Sequence, residues 1–127
     1  MSQECILVVE ADVLVRHPLA EYLRECGYKV LEASDPDEAR QILEGGSIDA
    51  DIVLADIDGL GSSGFALANW IRTNAPGTDV ILAGTVAKAT EKAGDLCEEG
   101  ATKSKPYDHQ LVLDRIRRLR AARERNG

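Results

Sequence analysis

Asp51-Ile-Val-Leu-Ala-Asp56 is an apolar run closed by a carboxylate, and the loop that follows, Asp58-Gly-Leu-Gly-Ser-Ser-Gly64, is rich in glycine. A short continuous apolar run bounded by turn residues reads as a strand covered on both faces, the kind found in parallel sheets. Upstream, Cys5-Ile-Leu-Val-Val9 is a second such run and is closed by Glu10; downstream, Asp79-Val-Ile-Leu-Ala83 is another. In an open parallel sheet, ligands bind beyond the carboxyl ends of the strands where the strand order reverses, so Glu10 and Asp56 are expected to share one crevice. Lys105, directly before Pro106, is placed to join them. A carboxylate, an acidic neighbour and a lysine in one crevice point to phosphate chemistry, and a glycine-rich loop lets backbone approach a ligand closely.

The pattern of strand, loop and amphipathic helix repeats five times. After Cys5 to Val9 comes a helix from about Leu14 to Glu25, with Leu14, Leu19, Tyr22 and Leu23 on its apolar side and Pro18 expected near its first turn; Gly27 ends it. Lys29 to Ala33 is the second strand, and Ser34 or Asp35 caps a helix from Pro36 to Leu43 that stops at Gly45-Gly46. The strand ending at Asp56 is followed by a helix carrying Phe65, Leu67, Ala68 and Ile71. Asp79 to Ala83 precedes a helix from about Lys88 to Glu99. A fifth strand over Ala101 to Ser104 rests only on its position between Gly100 and Pro106, because its β propensity is low. The last helix runs from about Asp108 to Glu124, with Leu111, Val112, Ile116 and Leu119 inward and the arginines outward. Alternating strands and helices imply a parallel α/β sheet.

Composition narrows the function classes. The 127 residues form one domain, 1–127, with a core over about 4–120 and a tail at 121–127. A net charge of −7 argues against nucleic acid as the main ligand, and an acidic crevice invites a cation instead. No apolar run is long enough to cross a membrane, and the first residues lead into a strand without the regions of a signal peptide, so the expected location is cytoplasmic. Cys5, Cys26 and Cys97 are odd in number and scattered, which favours buried thiols. His17 and His109 lack partners at ligand spacing and read as surface or capping residues. The cluster Arg115, Arg117, Arg118, Arg120, Arg123 and Arg125 reads as a solvated helix face.

From about residue 4 to residue 120 the chain resembles a response-regulator receiver domain of bacterial two-component signalling. The matching segments are Ile6-Leu-Val-Val-Glu10, Gly27-Tyr-Lys-Val-Leu-Glu-Ala33, Val53-Leu-Ala-Asp56 with the loop to Gly64-Phe65, Val80-Ile-Leu82 and Lys105-Pro-Tyr107. The resemblance implies a flavodoxin-like (βα)5 doubly wound fold with five parallel strands in the order 2-1-3-4-5. It implies that Asp56 is the phosphoacceptor for a sensor histidine kinase or phosphotransfer protein, that Lys105 pairs with a phosphoryl oxygen, and that Mg²⁺ bridges carboxylates and phosphate. Such a domain is a phosphoacceptor module and not an enzyme, with slow self-phosphorylation and dephosphorylation. Its partners are the kinase and a downstream protein, with a homodimer also open; neither nucleic acid nor membrane is expected.

Two family positions differ. Ala11 follows Glu10 where a second acid is usual, which should weaken the metal site; Asp12 and Asp58 are the candidate substitutes beside Glu10 and Asp56. Asp12 serves equally well in the sequence as an acid at the helix N-terminus. After the fourth strand the family places a Thr or Ser whose hydroxyl binds the phosphoryl group and carries the signal outward; Gly84 occupies that position, and Thr85, displaced by one, is the candidate for that phosphoryl-binding role. These departures raise a second reading, a degenerate receiver acting as a phosphorylation-independent interaction module. A more remote one is a toprim-like, metal-dependent nucleic-acid enzyme, suggested by Glu10 with Asp56-Ile-Asp58.

Overall fold

The structure is a computed structural model and describes residues 4–46, 49–57, 60–100 and 105–126. Four parallel strands, β1 (Cys5–Val9), β2 (Lys29–Ala33), β3 (Ile52–Asp56) and β4 (Asp79–Ala83), form one sheet in the order β2-β1-β3-β4. The helices are α1 (Val13–Glu25), α2 (Pro36–Glu44), α3 (Ser62–Asn74), α4 (Val86–Glu99) and α5 (His109–Asn126). The expected fifth strand, Ala101 to Ser104, lies outside the described residues.

Each strand alternates its side chains between two apolar layers, the rule for a sheet covered on both sides. Ile6, Val8, Leu54 and Ala83 pack with α1, α4 and α5 through Leu19, Tyr22, Leu23, Ala89, Ala93 and Ile116. Leu7, Val9, Val53 and Ala55 pack with α2 and α3 through Ala39, Leu67 and Ile71. The fold is therefore doubly wound, with three helices on one face and two on the other. Extending this sheet beyond β4 by a right-handed crossover would carry α4 to the α2/α3 face, since α2 and α3 already connect strands in that direction. Instead α4 lies against α1, and the Tyr28 hydroxyl donates to the Leu96 carbonyl at 2.5 Å.

Three sequence expectations change. Pro18 lies inside α1, beyond its first turn, with its ring buried; Asp12 caps the helix one residue earlier than expected by accepting from Leu14 N at 3.0 Å. Leu111 faces solvent at 56% exposure, while Leu113 takes the inward place with Val112 and Ile116. Cys26 and Cys97 are joined in a disulfide that links the end of α1 to α4, and only Cys5 is a free, buried thiol. The two partners stand 71 residues apart in sequence, a pairing that spacing alone cannot reveal.

Candidate functional site

The register puts the two acids side by side. Val9 pairs with Ala55 across β1 and β3, so the next residues, Glu10 and Asp56, sit on neighbouring chains one step beyond. Parallel strands lie about 4.8 Å apart, and residues level with one another point to the same face. Here that is the α1 side, because Val8 and Leu54, two residues back, face that layer. Glu10 is held in the row by its N–H on Ala33 O at 3.0 Å, and Ile57 N–H donates to Ala83 O at 2.9 Å just past Asp56. Beyond this edge the chain from β1 turns toward β2 and the chain from β3 turns toward β4, which is the reversal of strand order that opens a crevice.

Both acids are buried, each 3% exposed. Oε1 of Glu10 accepts from Asp12 N–H at 2.8 Å, and Arg16 Nη1 donates to the Glu10 carbonyl at 2.9 Å, fixing the β1–α1 turn. Oε2 is buried and finds no hydrogen-bond donor among the described residues. Burial above all, and then the adjacent Asp56 carboxyl, push the Glu10 carboxyl up from 4.5 to about 8. Two ionised carboxylates have no donor between them, so the pair is relieved either by a shared proton or by a cation. An orphaned carboxylate oxygen beside a second acid suits a hard divalent ion such as Mg²⁺, which is commonly held by one or two carboxylates plus phosphate. Among the described residues no cluster of three or more ligand side chains completes such a site. Asp58, an expected ligand, lies outside the described residues.

The remaining sequence candidates are engaged elsewhere. Asp12 is the N-cap of α1, and both of its carboxylate oxygens receive the Arg123 guanidinium, each at 2.8 Å. That fork, first among the causes, holds the Asp12 carboxyl below its usual range. Ala11 is exposed. Thr85 caps α4, its hydroxyl accepting from Lys88 N–H at 3.0 Å, while a Cβ at Gly84 would meet nothing within 4 Å. Lys105 pairs with Glu98 of α4 at 2.9 Å, and no peptide bond among the described residues is cis. The structure therefore brings Glu10 and Asp56 together and gives Asp12, Thr85 and Lys105 other partners. His17 lies on the surface between Glu21 and Glu32, and His109 packs its ring against Gly94 of α4. Sequence reasoning missed Arg120 and Arg123, because a run of arginines on a terminal helix gives no sign that two of them reach an acid near the first strand.

The chain matches the family model of the response regulator receiver domain over residues 6–117. It is 32% identical over 121 residues to the aerobic respiration control protein ArcA of Escherichia coli K12, an alignment covering 94% of this chain and 49% of the relative. It is 30% identical to a cyclic di-GMP phosphodiesterase of Thermotoga maritima over 94% of this chain and 31% of that protein. The chain thus spans about half or less of these curated relatives. Among solved structures, the response regulator TrrA of Thermotoga maritima, in complex with Mg²⁺-BeF, aligns with a TM-score of 0.59 and 27% identity over 91% of this chain and 98% of that one. A CheY-like receiver protein of Methanospirillum hungatei aligns with a TM-score of 0.61 and 22% identity over 99% and 100%. No described helix is long and apolar enough to cross a membrane. The strand order, the acid pair at the strand ends and the match over most of the length agree: this chain belongs to the response-regulator receiver domain family of two-component signalling.

Proposed function

We propose that Asp56 accepts a phosphoryl group from a phosphohistidine on a sensor kinase or phosphotransfer protein, and that the change is relayed to a downstream partner from the helical surface. The supporting observation is the buried Glu10–Asp56 pair at the reversal of strand order. One carboxylate oxygen of Asp56 forms a bond to phosphorus as the bond to the donor's imidazole nitrogen breaks, leaving an acyl phosphate and a free imidazole. Asp56, Glu10 and the proposed ligand Asp58 would hold Mg²⁺, which when bound would supply charge neutralisation to the transferring group. Glu10 would release its proton to serve as a ligand, and its Oε2 is the oxygen that has no donor among the described residues. Lys105 leaves Glu98 to pair with a phosphoryl oxygen. A kinase partner is supported by a solved complex of TrrA with the histidine kinase ThkA, which aligns with a TM-score of 0.53 and 34% identity over 62% of this chain and 66% of that one.

The same reading assigns a fifth parallel strand to Ala101–Ser104 beside β4, completing the order 2-1-3-4-5. Such a strand, connected in the usual right-handed sense, goes with a move of α4 off α1. The Cys26–Cys97 bond, which ties α4 to α1, opposes that move.

Intact-mass measurement after incubation with acetyl phosphate and Mg²⁺ tests the proposal: one phosphoryl adduct is expected, absent in Asp56→Asn. No adduct over a wide range of donor and Mg²⁺ concentrations would favour the interaction-module reading. That second reading draws on Ala11, on Gly84 and on Lys105 being held by Glu98.

A further inference from the structure

Asp12 follows Glu10 by two residues and touches the buried pair through its backbone, where its N–H donates to Glu10 Oε1 at 2.8 Å. Its carboxylate is turned to the far end of the chain. Arg123 Nη1 and Nη2 donate to Oδ1 and Oδ2, each at 2.8 Å, and Arg120 Nε lies 3.5 Å from Oδ2. Two parallel N–H···O bonds from a guanidinium are the strong, orienting form of this contact. The Asp12 side chain is also anchored by Leu14 N–H at 3.0 Å, which leaves neither oxygen for a further ligand. Beside it, Glu10 Oε2 is buried with no donor among the described residues. One carboxylate cannot serve a guanidinium fork and a hard cation at the same time.

We propose that Arg123, with Arg120 behind it, is a positioning residue that withholds Asp12 from the cation site, so that cation loading at Glu10–Asp56 and docking of the last turns of α5 oppose each other. The proposal rests on the receiver reading of the site and adds a direct mechanical line from that site to α5. Linkage makes it reciprocal: whatever frees Arg123 tightens the cation, and the cation loosens Arg123 to the same degree. A partner that binds the end of α5 through its arginines would thereby raise cation affinity without touching the crevice.

Titration calorimetry of the full chain with Mg²⁺ alone tests this. Arg120→Gln/Arg123→Gln should bind Mg²⁺ roughly five- to tenfold more tightly than the parent, the lower end of typical couplings. Adding Asp12→Asn, which keeps a good helix cap, should return the affinity to the parent's. Arg123→Lys should stay near the parent. In the unsubstituted chain, Mg²⁺ should speed hydrogen exchange in the last turns of α5. A gain that persists with Asp12→Asn would mean that the arginines act only by distant charge, and the proposal fails. Equal affinities in parent and double variant, with binding still abolished by Asp56→Asn, overturn the latch and leave the site reading standing. Binding indifferent to Asp56→Asn, or absent in every variant, overturns both.

Discussion

Glu10 carries a cost that depends on pH. In the metal-free protein its carboxyl is raised from 4.5 to about 8, so the native state holds a proton that the unfolded chain has released across that interval. The associated stability is fully present below pH 4.5 and is lost as pH rises through about 8. Glu10→Gln keeps the acceptor for Asp12 N–H and removes the titration. Thermal melts at pH 5 and pH 9 should therefore differ much less in Glu10→Gln than in the parent, and an equal fall in both would place the pH dependence elsewhere. Gly84 offers the converse case of a residue that can be added to. A Cβ there meets nothing within 4 Å, and no positive φ stands in the way, so Gly84→Thr should change stability by no more than about 0.5 kcal/mol. Its hydroxyl would stand at the usual family position, and amide shifts in α4 on phosphorylation should grow; unchanged shifts would show that the hydroxyl does not reach the phosphoryl group.

At the level of elements, the direction of α5 is open to a paired substitution. Leu113 is 5% exposed and Leu111 is 56% exposed, so Leu113→Ala should cost about 2–5 kcal/mol in denaturant unfolding and Leu111→Ala close to nothing. The reverse order would mean that α5 is rotated. This is also where the sequence was least explicit. Leu111, Val112 and Leu113 are consecutive, so periodicity fits either leucine to the inner face, and packing against α1 and α4 decides. The strands were plain because unbroken apolar runs such as Cys5–Val9 and Asp79–Ala83 are bounded by polar and turn residues, and both match the structure end to end. The Glu10–Asp56 pair was legible because the register of adjacent parallel strands follows from where those runs stop. The partners of Asp12 and Lys105 were not, since they depend on where α5 and α4 come to rest. Asp12 and Arg123 are 111 residues apart. Thr85, the candidate for the phosphoryl-binding hydroxyl, caps α4 instead; Thr85→Ala should cost about 1 kcal/mol, seen as lost amide protection in the first turn of α4.

For the molecule as a whole, the Cys26–Cys97 bond is the covalent constraint, joining positions 71 residues apart. In the chain-entropy view a loop of 71 residues gains about 4 kcal/mol from such a cross-link, so reduction should lower the melting temperature, and alkylation of the unreduced, denatured protein should find one thiol, Cys5. Three reactive thiols in that assay would refute the pairing. The reduced protein, with α4 released from α1, should also take up phosphoryl groups from acetyl phosphate faster, a change absent in Asp56→Asn. The bond makes residues 26 to 97 a covalent ring, and the ring holds β2, β3 and β4 but neither β1 nor α5. Asp56 is thus a bead on the ring and Glu10 a bead on the strand threaded beside it, so the acid pair exists only while the open end of the chain stays seated against the closed part. A single protease cut anywhere within the ring should leave one molecule on a non-reducing gel and two pieces on a reducing one, whereas a cut between Glu10 and Cys26 releases the segment bearing Glu10 without any reductant. The order in which the two kinds of cut appear during mild digestion would report which half of the site lets go first.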